Sequence, residues 1–583
     1  MIINALYKYY EREIAKKDSL LPAFGFELKE IKFIIEITKD GRFSRLLDMR
    51  EGKIGKEYLV PRSSGRSGIN SSQTAFLLWD NTGYVLGKPE SDSEKHINQA
   101  KCQNESFVKR IHDLPDDVKA DEGVSAVIRF YEQNGSLEVM KASNWEVCAA
   151  INGCNVTFQL VDGSEPVFSS PVVKDFISTT SSDQDKEDFR ICSVTGKKGV
   201  IAKTHTATPI FGNKPAGAGK LVSFQKSKGY DSYGKEQGDN APVNVQVEFG
   251  YTTALKYLLN SERNHVRLGR LTVVFWTEKE IDGFEDAFKG VCEELPNDND
   301  DGSLDEEKGF FESVTSGRPQ EELESRVYVL GLEPNAARLV VKIWETGTLK
   351  DFAEKITLHY DDMKLVHGPK DSDYLSLSSI LRATALDYKM DNVLPSLKVG
   401  VFQSILTGAA YPLALFRQAM IRIRAEQNPS YRRVAILKAC LNRWARKGIF
   451  NAERVESMLD EDNKNSAYLL GRAFAILEYA QKEAFPKRNA TIKDRMFRSA
   501  ATTPLAVFPK TIKLFDHNLK HIDNEGKARW IDRLLTETMA QVHPIPAFLT
   551  EFEQGEFISG YFVQKQNFYT KKESANKGEE NVD

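Results

Sequence analysis

Few residue patterns in this chain have a chemical reading, and most of those fail on spacing. Gly212-Asn-Lys-Pro-Ala-Gly-Ala-Gly-Lys220 offers the glycines of a phosphate-cradling loop, but Lys214 stands where the first glycine belongs and Leu221 replaces the Mg2+-binding hydroxyl. Asp298, Asp300 and Asp305 lack the glycine and terminal glutamate of a Ca2+ loop, so their segment reads as solvated. His517 and His521 are four residues apart on one helix face, which permits joint metal ligation, but no third ligand is evident and a surface pair is favoured. Six cysteines are too few and too scattered for a disulfide scaffold, and none forms a CxxC zinc pattern. No GxSxG, HExxH or DFG-like set occurs. The expectation is therefore no catalysis, no metal and no cofactor.

What remains is chemistry of binding. From Cys192 to Val243 the chain is rich in glycine and lysine, with Lys197, Lys198, Lys203, Lys220, Lys226, Lys228 and Lys235 interleaved with Phe224, Tyr230 and Tyr233. Cations plus aromatic platforms suit a surface that tracks a nucleic-acid backbone, although a loop-rich scaffold fits the composition equally well. Between Arg417 and Lys447, nine basic residues, among them Arg417, Arg422, Arg424, Arg432, Arg433 and Arg443, face one acid, Glu426. Arginine forks suit phosphates; two solvated helix faces are the plainer alternative.

The elements that would position these groups change along the chain. Phe33, Ile35 and Ile37, a Lys39-Asp40-Gly41 turn and Phe43 onward predict a hairpin. Helices are expected around Glu105–His112 and Val124–Glu132, and strands at Ala149–Val161, Leu221–Phe224, Arg270–Trp276, and Val327–Leu332 paired with Leu339–Glu345. From Ser376 onward the periodicity is helical, broken at Asn428-Pro429, until a polar tail at Lys571–Asp583. The fold class expected is α+β, a mixed N-terminal region followed by an all-helical bundle. The segments expected are 1–281, an acidic linker or insert at 282–324, a strand pair at 325–360 completing the N-terminal region, a basic helical region at 361–457 and a bundle at 458–583. The acidic segment carries 15 acids against three bases, so the net charge of −4 hides +8 elsewhere. With no secretory leader and no apolar span, a soluble, cytoplasmic protein in a reducing compartment is expected.

Several runs resemble one family along nearly the whole chain. Cys192-Ser-Val-Thr-Gly, Leu221-Val-Ser-Phe, Ser232-Tyr-Gly-Lys-Glu-Gln-Gly leading into Tyr251-Thr-Thr-Ala-Leu, and Thr272-Val-Val-Phe-Trp are similar to the large subunit of the type I-C CRISPR surveillance complex (Cascade). Gly68-Ile, Leu78-Trp-Asp, Tyr84-Val-Leu-Gly, Leu330-Gly-Leu-Glu-Pro-Asn and Gly560-Tyr-Phe-Val-Gln extend the resemblance, from which the acidic insert departs. It implies a non-catalytic partner of crRNA and other Cascade subunits that reads the protospacer-adjacent motif (PAM) on double-stranded target DNA. It also implies help in opening the duplex and in recruiting a helicase-nuclease. A Mg2+-dependent nuclease or nucleotide hydrolase is the alternative from another class.

Within that frame, the Arg62–Thr74 loop is the expected PAM reader, through Arg62, Arg66, Ser67, Asn70, Ser71 and Gln73, with Gly68 as a hinge; an ordinary surface loop is the plainer reading. The lysines of the Gly-rich block and the Arg417–Lys447 helices would hold phosphates. The resemblance also implies that the terminal bundle is similar to a small subunit and can be made separately, with Met458 as the start of a 126-residue product. From Lys482 to Arg533 it has 12 bases against 6 acids, with Lys487, Arg488, Lys493 and Arg495 at its head, suited to displaced single-stranded DNA.

Overall fold

Phe33–Ile37 (β2) is buried on both sides, the signature of a strand in the middle of a sheet. On one side it pairs antiparallel with Phe43–Asp48 (β3), as the Lys39-Asp40-Gly41 turn predicts. On the other it pairs parallel with Asn155–Leu160 (β6), which in turn pairs antiparallel with Trp79–Asn81 (β5). Phe26–Ile31 (β1) and Lys56–Pro61 (β4) form a separate antiparallel pair, and Phe189–Ile191 (β7) and Lys198–Val200 (β8) a third. Ile2–Ile14 (α1), Glu94–His112 (α2), Glu122–Glu132 (α3) and Val245–Asn260 (α4) are the main helices of this half. Phe107, Phe130, Phe158 and Trp79 join β2 in one apolar core.

This computed structural model describes residues 1–583 except 17–18, 20, 64–68, 184–188, 211–218, 226–232, 294–308, 315–316, 370, 450–453 and 580–583. The chain divides into two compact units, one of residues 1–208 and 220–257, the other of 209–219 and 258–583. In the second, His265–Leu268 (β9), Leu271–Thr277 (β10), Arg326–Asn335 (β11) and Arg338–Thr348 (β12) form an antiparallel sheet in the order β12-β11-β10-β9. The main helices that follow this sheet are Leu349–Met363 (α5), Leu377–Ala383 (α6), Pro395–Thr407 (α7), Leu413–Glu426 (α8) and Tyr431–Arg446 (α9). Ser466–Ala484 (α10), Ile492–Thr502 (α11), Pro504–Leu519 (α12), Glu525–Met539 (α13) and Glu551–Glu579 (α14) follow.

Helix outweighs strand, 52% against 15%, and the class is α+β as expected. The segment boundaries fall elsewhere. The strand pair expected to complete the N-terminal region, β11–β12, instead pairs onto β10 and belongs to the second unit. The acidic stretch is folded at its edges, because Phe284–Cys292 is a helix that buries Phe284, Phe288 and Val291, and Phe310 and Phe311 join the same core. Asp298, Asp300 and Asp305 lie outside the described residues. The basic helical region and the terminal bundle share one core, with Val434 and Leu441 in the cluster that holds Phe557 and Tyr561. Among the described residues, no helix is long and apolar enough to cross a membrane.

Candidate nucleic-acid interface

The Arg62–Thr74 loop has a fixed stem. At its entry, Arg62 N donates to Gly25 O at 2.7 Å, Ser63 N to Glu27 Oε1 at 2.7 Å, and the buried indole of Trp79 to Pro61 O at 2.8 Å. At its exit, Tyr84 Oη donates to Ser71 O at 2.6 Å, Arg110 to Ala75 O, and Phe76 N to Asp80 Oδ2 at 2.9 Å. Buried Trp79 and Tyr84 therefore clamp both ends of a polar loop. Arg66, Ser67 and Gly68 lie outside the described residues, as does the side chain of Asn70, whose backbone is in the 3-10 turn Ile69–Gln73. Ser71 is half-buried and Gln73 exposed. Arg62 sits at the foot of the loop instead of its tip: Nη2 donates to Thr206 Oγ1 at 2.8 Å and lies 3.6 Å from Glu248 Oε2, with the guanidinium 5.0 Å from the Phe249 ring centre.

The Gly- and Lys-rich block builds a small lobe around the β7–β8 hairpin. Ser193 N donates to Pro242 O at 2.8 Å, Ala202 N to Val243 O at 2.9 Å, and Arg190 pairs with Asp239 at 2.6 Å. Gly238 is required here, because a Cβ on it would fall 2.0 Å from Ala202 O. Cys192 is buried in the lobe; burial pushes its thiol up, but the N–H groups of Asn244, Thr195 and Val194 outweigh that and hold its pKa below the ordinary value. Lys197, Lys198, Lys203 and Lys235 are exposed, and Tyr233, at φ +55°, is fully so. Lys220 is half-buried, while Lys226 and Lys228 lie outside the described residues. The strand expected at Leu221–Phe224 does not form; that stretch is irregular.

The Arg417–Lys447 helices correct the sequence reading most strongly. Arg433 and Arg443 have no solvent exposure. Arg433 donates to Ala383 O at 3.0 Å and pairs with Glu426, and Arg443 donates to Asp362 Oδ2 at 2.7 Å and to Ser404 O at 2.9 Å. Arg446 reaches the same Asp362 at 2.9 Å, and the buried Lys438 donates to the Asp362 carbonyl at 3.0 Å. Arg417 pairs with Glu551 at 3.0 Å, Arg422 with Glu426 at 2.7 Å, and Arg424 donates to Gln554 at 2.6 Å. Arg432 is half-buried. These cations hold α8 and α9 to α5, α6 and α14. Beside Arg443, His359 Nδ1 is 2.6 Å from Tyr411 Oη; burial, and secondarily the Arg443 charge, push the His359 pKa down to about 3.

The head of the terminal bundle is different. Lys487, Arg488 and Arg495 are exposed and Lys493 half-buried, and none has an ion pair among the described residues. The same holds for Arg498, Lys510, Lys513 and Lys520. Lys510, Lys513, His517 and Lys520 follow a 3-4-3 spacing that sets them on one face of α12 and its end. Phe485 ties this face to the α10–α11 turn: the Arg488 guanidinium is 4.6 Å from its ring centre, and the His517 and His521 rings are 6.2 and 5.2 Å away. His521 Nδ1 donates to His517 O at 2.9 Å.

Over residues 6–569 the sequence matches the Cas_Csd1 family of CRISPR-associated proteins. The chain belongs to that family. No curated protein matches it. In this Cas_Csd1 chain the sequence marks Arg62 but not the polar partners that meet it at the foot of the loop. Glu248 is 4% exposed and accepts from Thr206 N at 2.6 Å as well as facing Arg62. Next to it, His205 Nδ1 lies 2.6 Å from Tyr251 Oη. Nothing local marks Glu248, because its side-chain partners, Thr206 and Arg62, are 42 residues or more away in sequence.

Proposed function

We propose that this Cas_Csd1 protein is the large, non-catalytic subunit of a type I-C crRNA-guided DNA surveillance complex, and that it reads the PAM with the Arg62–Thr74 loop. The observation that carries this reading is the clamped stem. A loop whose ends are fixed by Trp79 and Tyr84 presents Ser71 and Gln73 from a set position, so base-edge hydrogen bonds from these residues cost less ordering. The exposed Lys197, Lys198, Lys203 and Lys235, with Tyr233, then hold backbone and supply affinity without sequence information. Base pairing by the guide supplies the rest of the discrimination.

In the same reading the unpaired cations of α11 and α12 hold the displaced single strand. Met458, 67% exposed ahead of α10, starts a separately made small subunit. In the full chain the α14 residues Phe552 and Gly555 pack on Phe416 of α8, so the short product would offer that face to a neighbouring Cascade subunit. Duplex opening and recruitment of the helicase-nuclease complete the role, in the cytoplasm.

The test is binding of the assembled complex to duplexes bearing every PAM triplet. Asn70→Ala or Gln73→Ala should flatten the preference by about 1–3 kcal/mol per lost base contact. Lys197→Ala/Lys198→Ala should weaken all duplexes alike and reduce the salt slope by about 2. Wild-type binding that ignores the triplet, or Mg2+-dependent cleavage by the isolated chain, would refute the reading.

A further inference from the structure

Among the described residues, the foot of the loop carries more positive than negative charge. Among the described residues its carboxylates are Glu27 and Glu248, and both are engaged: Glu27 accepts from Ser63 N at 2.7 Å and lies 3.7 Å from Lys29, and Glu248 accepts from Thr206 N and faces Arg62. The third cation, Lys256, lies two turns along α4 from Glu248 on the same face, with Thr252 between them donating to the Glu248 carbonyl at 2.8 Å. Lys256 is half-buried, and among the described residues it has neither a hydrogen bond nor an ion pair. An ammonium withdrawn from water without a partner is costly. Its pKa shows that cost, lowered first by burial and then by the neighbouring Arg62 charge.

Arg62 is only partly used. Its Nη2 is held by Thr206, and the other nitrogens of the fork have no hydrogen-bond partner among the described residues. We propose that Lys256 and the free edge of Arg62 form a phosphodiester site at the root of the Arg62–Thr74 loop, one phosphate of the bound duplex neutralising the surplus charge. A phosphodiester carries a negative charge that offsets this excess, and it accepts the planar arginine fork and an ammonium together. The site fixes the register of the strand beside the loop, so that the loop's side chains meet a defined base step. It rests on the proposed role in DNA recognition and adds the residues that anchor the backbone there.

Salt titration of duplex binding by the assembled complex, between about 50 and 200 mM, tests it. Lys256→Gln should lower the slope by about 0.9, the loss of one phosphate contact, and weaken every sequence alike, while Lys256→Arg keeps the slope. Because the lysine has no internal partner, Lys256→Gln and Lys256→Met should unfold at the wild-type temperature or above it. An unchanged slope in Lys256→Gln overturns the site and leaves the functional reading standing. So does a lowered unfolding temperature, which would reveal an internal partner, or a loss confined to assembly with other subunits, which would assign the lysine to a protein carboxylate. Absence of salt-dependent duplex binding by the wild type would instead remove the functional reading and the site together.

Discussion

Two stretches of the second unit are rich in cations, and the fold uses them in opposite ways. In α8 and α9 most of the basic side chains are spent inside the protein, on Asp362, Glu426, Glu551, Gln554 and carbonyl oxygens. From Lys487 to Lys520 the cations Lys487, Arg488, Arg495, Arg498, Lys510, Lys513 and Lys520 are exposed without ion pairs among the described residues. The first stretch has the higher local charge in sequence and the lower charge available to a ligand. Local net charge therefore says little about binding until one knows which acids the fold brings in from a distance. Asp362 is 81 residues from Arg443, and Glu551 is 134 from Arg417.

The sharpest way to break this contrast is Arg443→Ala. It removes the fully buried partner of Asp362 and leaves only the partly exposed Arg446 on that carboxylate, so the loss should approach the ~3–5 kcal/mol of a broken buried pair. Urea denaturation should show that drop. A near-neutral result would mean that α9 tolerates an open cavity there and that its arginines are not structural. The converse experiment replaces Lys510, Lys513 and Lys520 by Glu. Stability should stay within about 1 kcal/mol, since among the described residues these side chains have no hydrogen bond or ion pair. Single-strand affinity should fall tenfold or more and the salt slope by about 2, at roughly 0.7 per phosphate. Unchanged single-strand binding would leave this surface as solvated charge.

What could be read in advance follows the range of the interactions. The β2–β3 hairpin and the β11–β12 pair were legible because each turn lies between its own strands, Lys39-Asp40-Gly41 in one and Glu333-Pro334-Asn335 at the end of the other. Helical periodicity gave α8 and α9 and the break at Asn428-Pro429. The parallel pairing of β2 with β6 was not legible, since its partner follows a long run of helices. The strand expected from Ala149 begins only at Asn155, because Trp145–Ala149 is helical and Gly153 turns at φ +65°. The helix around Glu105 starts earlier, at Glu94, where Ser93 caps it. The helical backbone runs on to Glu579 through the expected polar tail. Composition marked Lys197, Lys198, Lys203 and Lys235, which the fold leaves exposed, but not Glu248 or Lys256, whose surroundings are set by tertiary neighbours.

The smallest expected effect separates the two stretches by pH. His359 is buried against Arg443 with its pKa at about 3, whereas an unfolded histidine titrates near 6.5. Between those values the unfolded chain binds more protons than the folded one, so stability is fully present above about pH 6.5 and declines as pH falls toward 3. The loss approaches about 1.4 kcal/mol per pH unit below 6. Denaturation midpoints at pH 7 and pH 5 should differ accordingly, and His359→Gln should remove that part of the difference. If the wild-type midpoint does not move, His359 gains a proton without cost, and the Arg443–Tyr411–His359 contact is wet enough to screen the arginine. The cations of α9 would then resemble those of α12 more than their burial indicates.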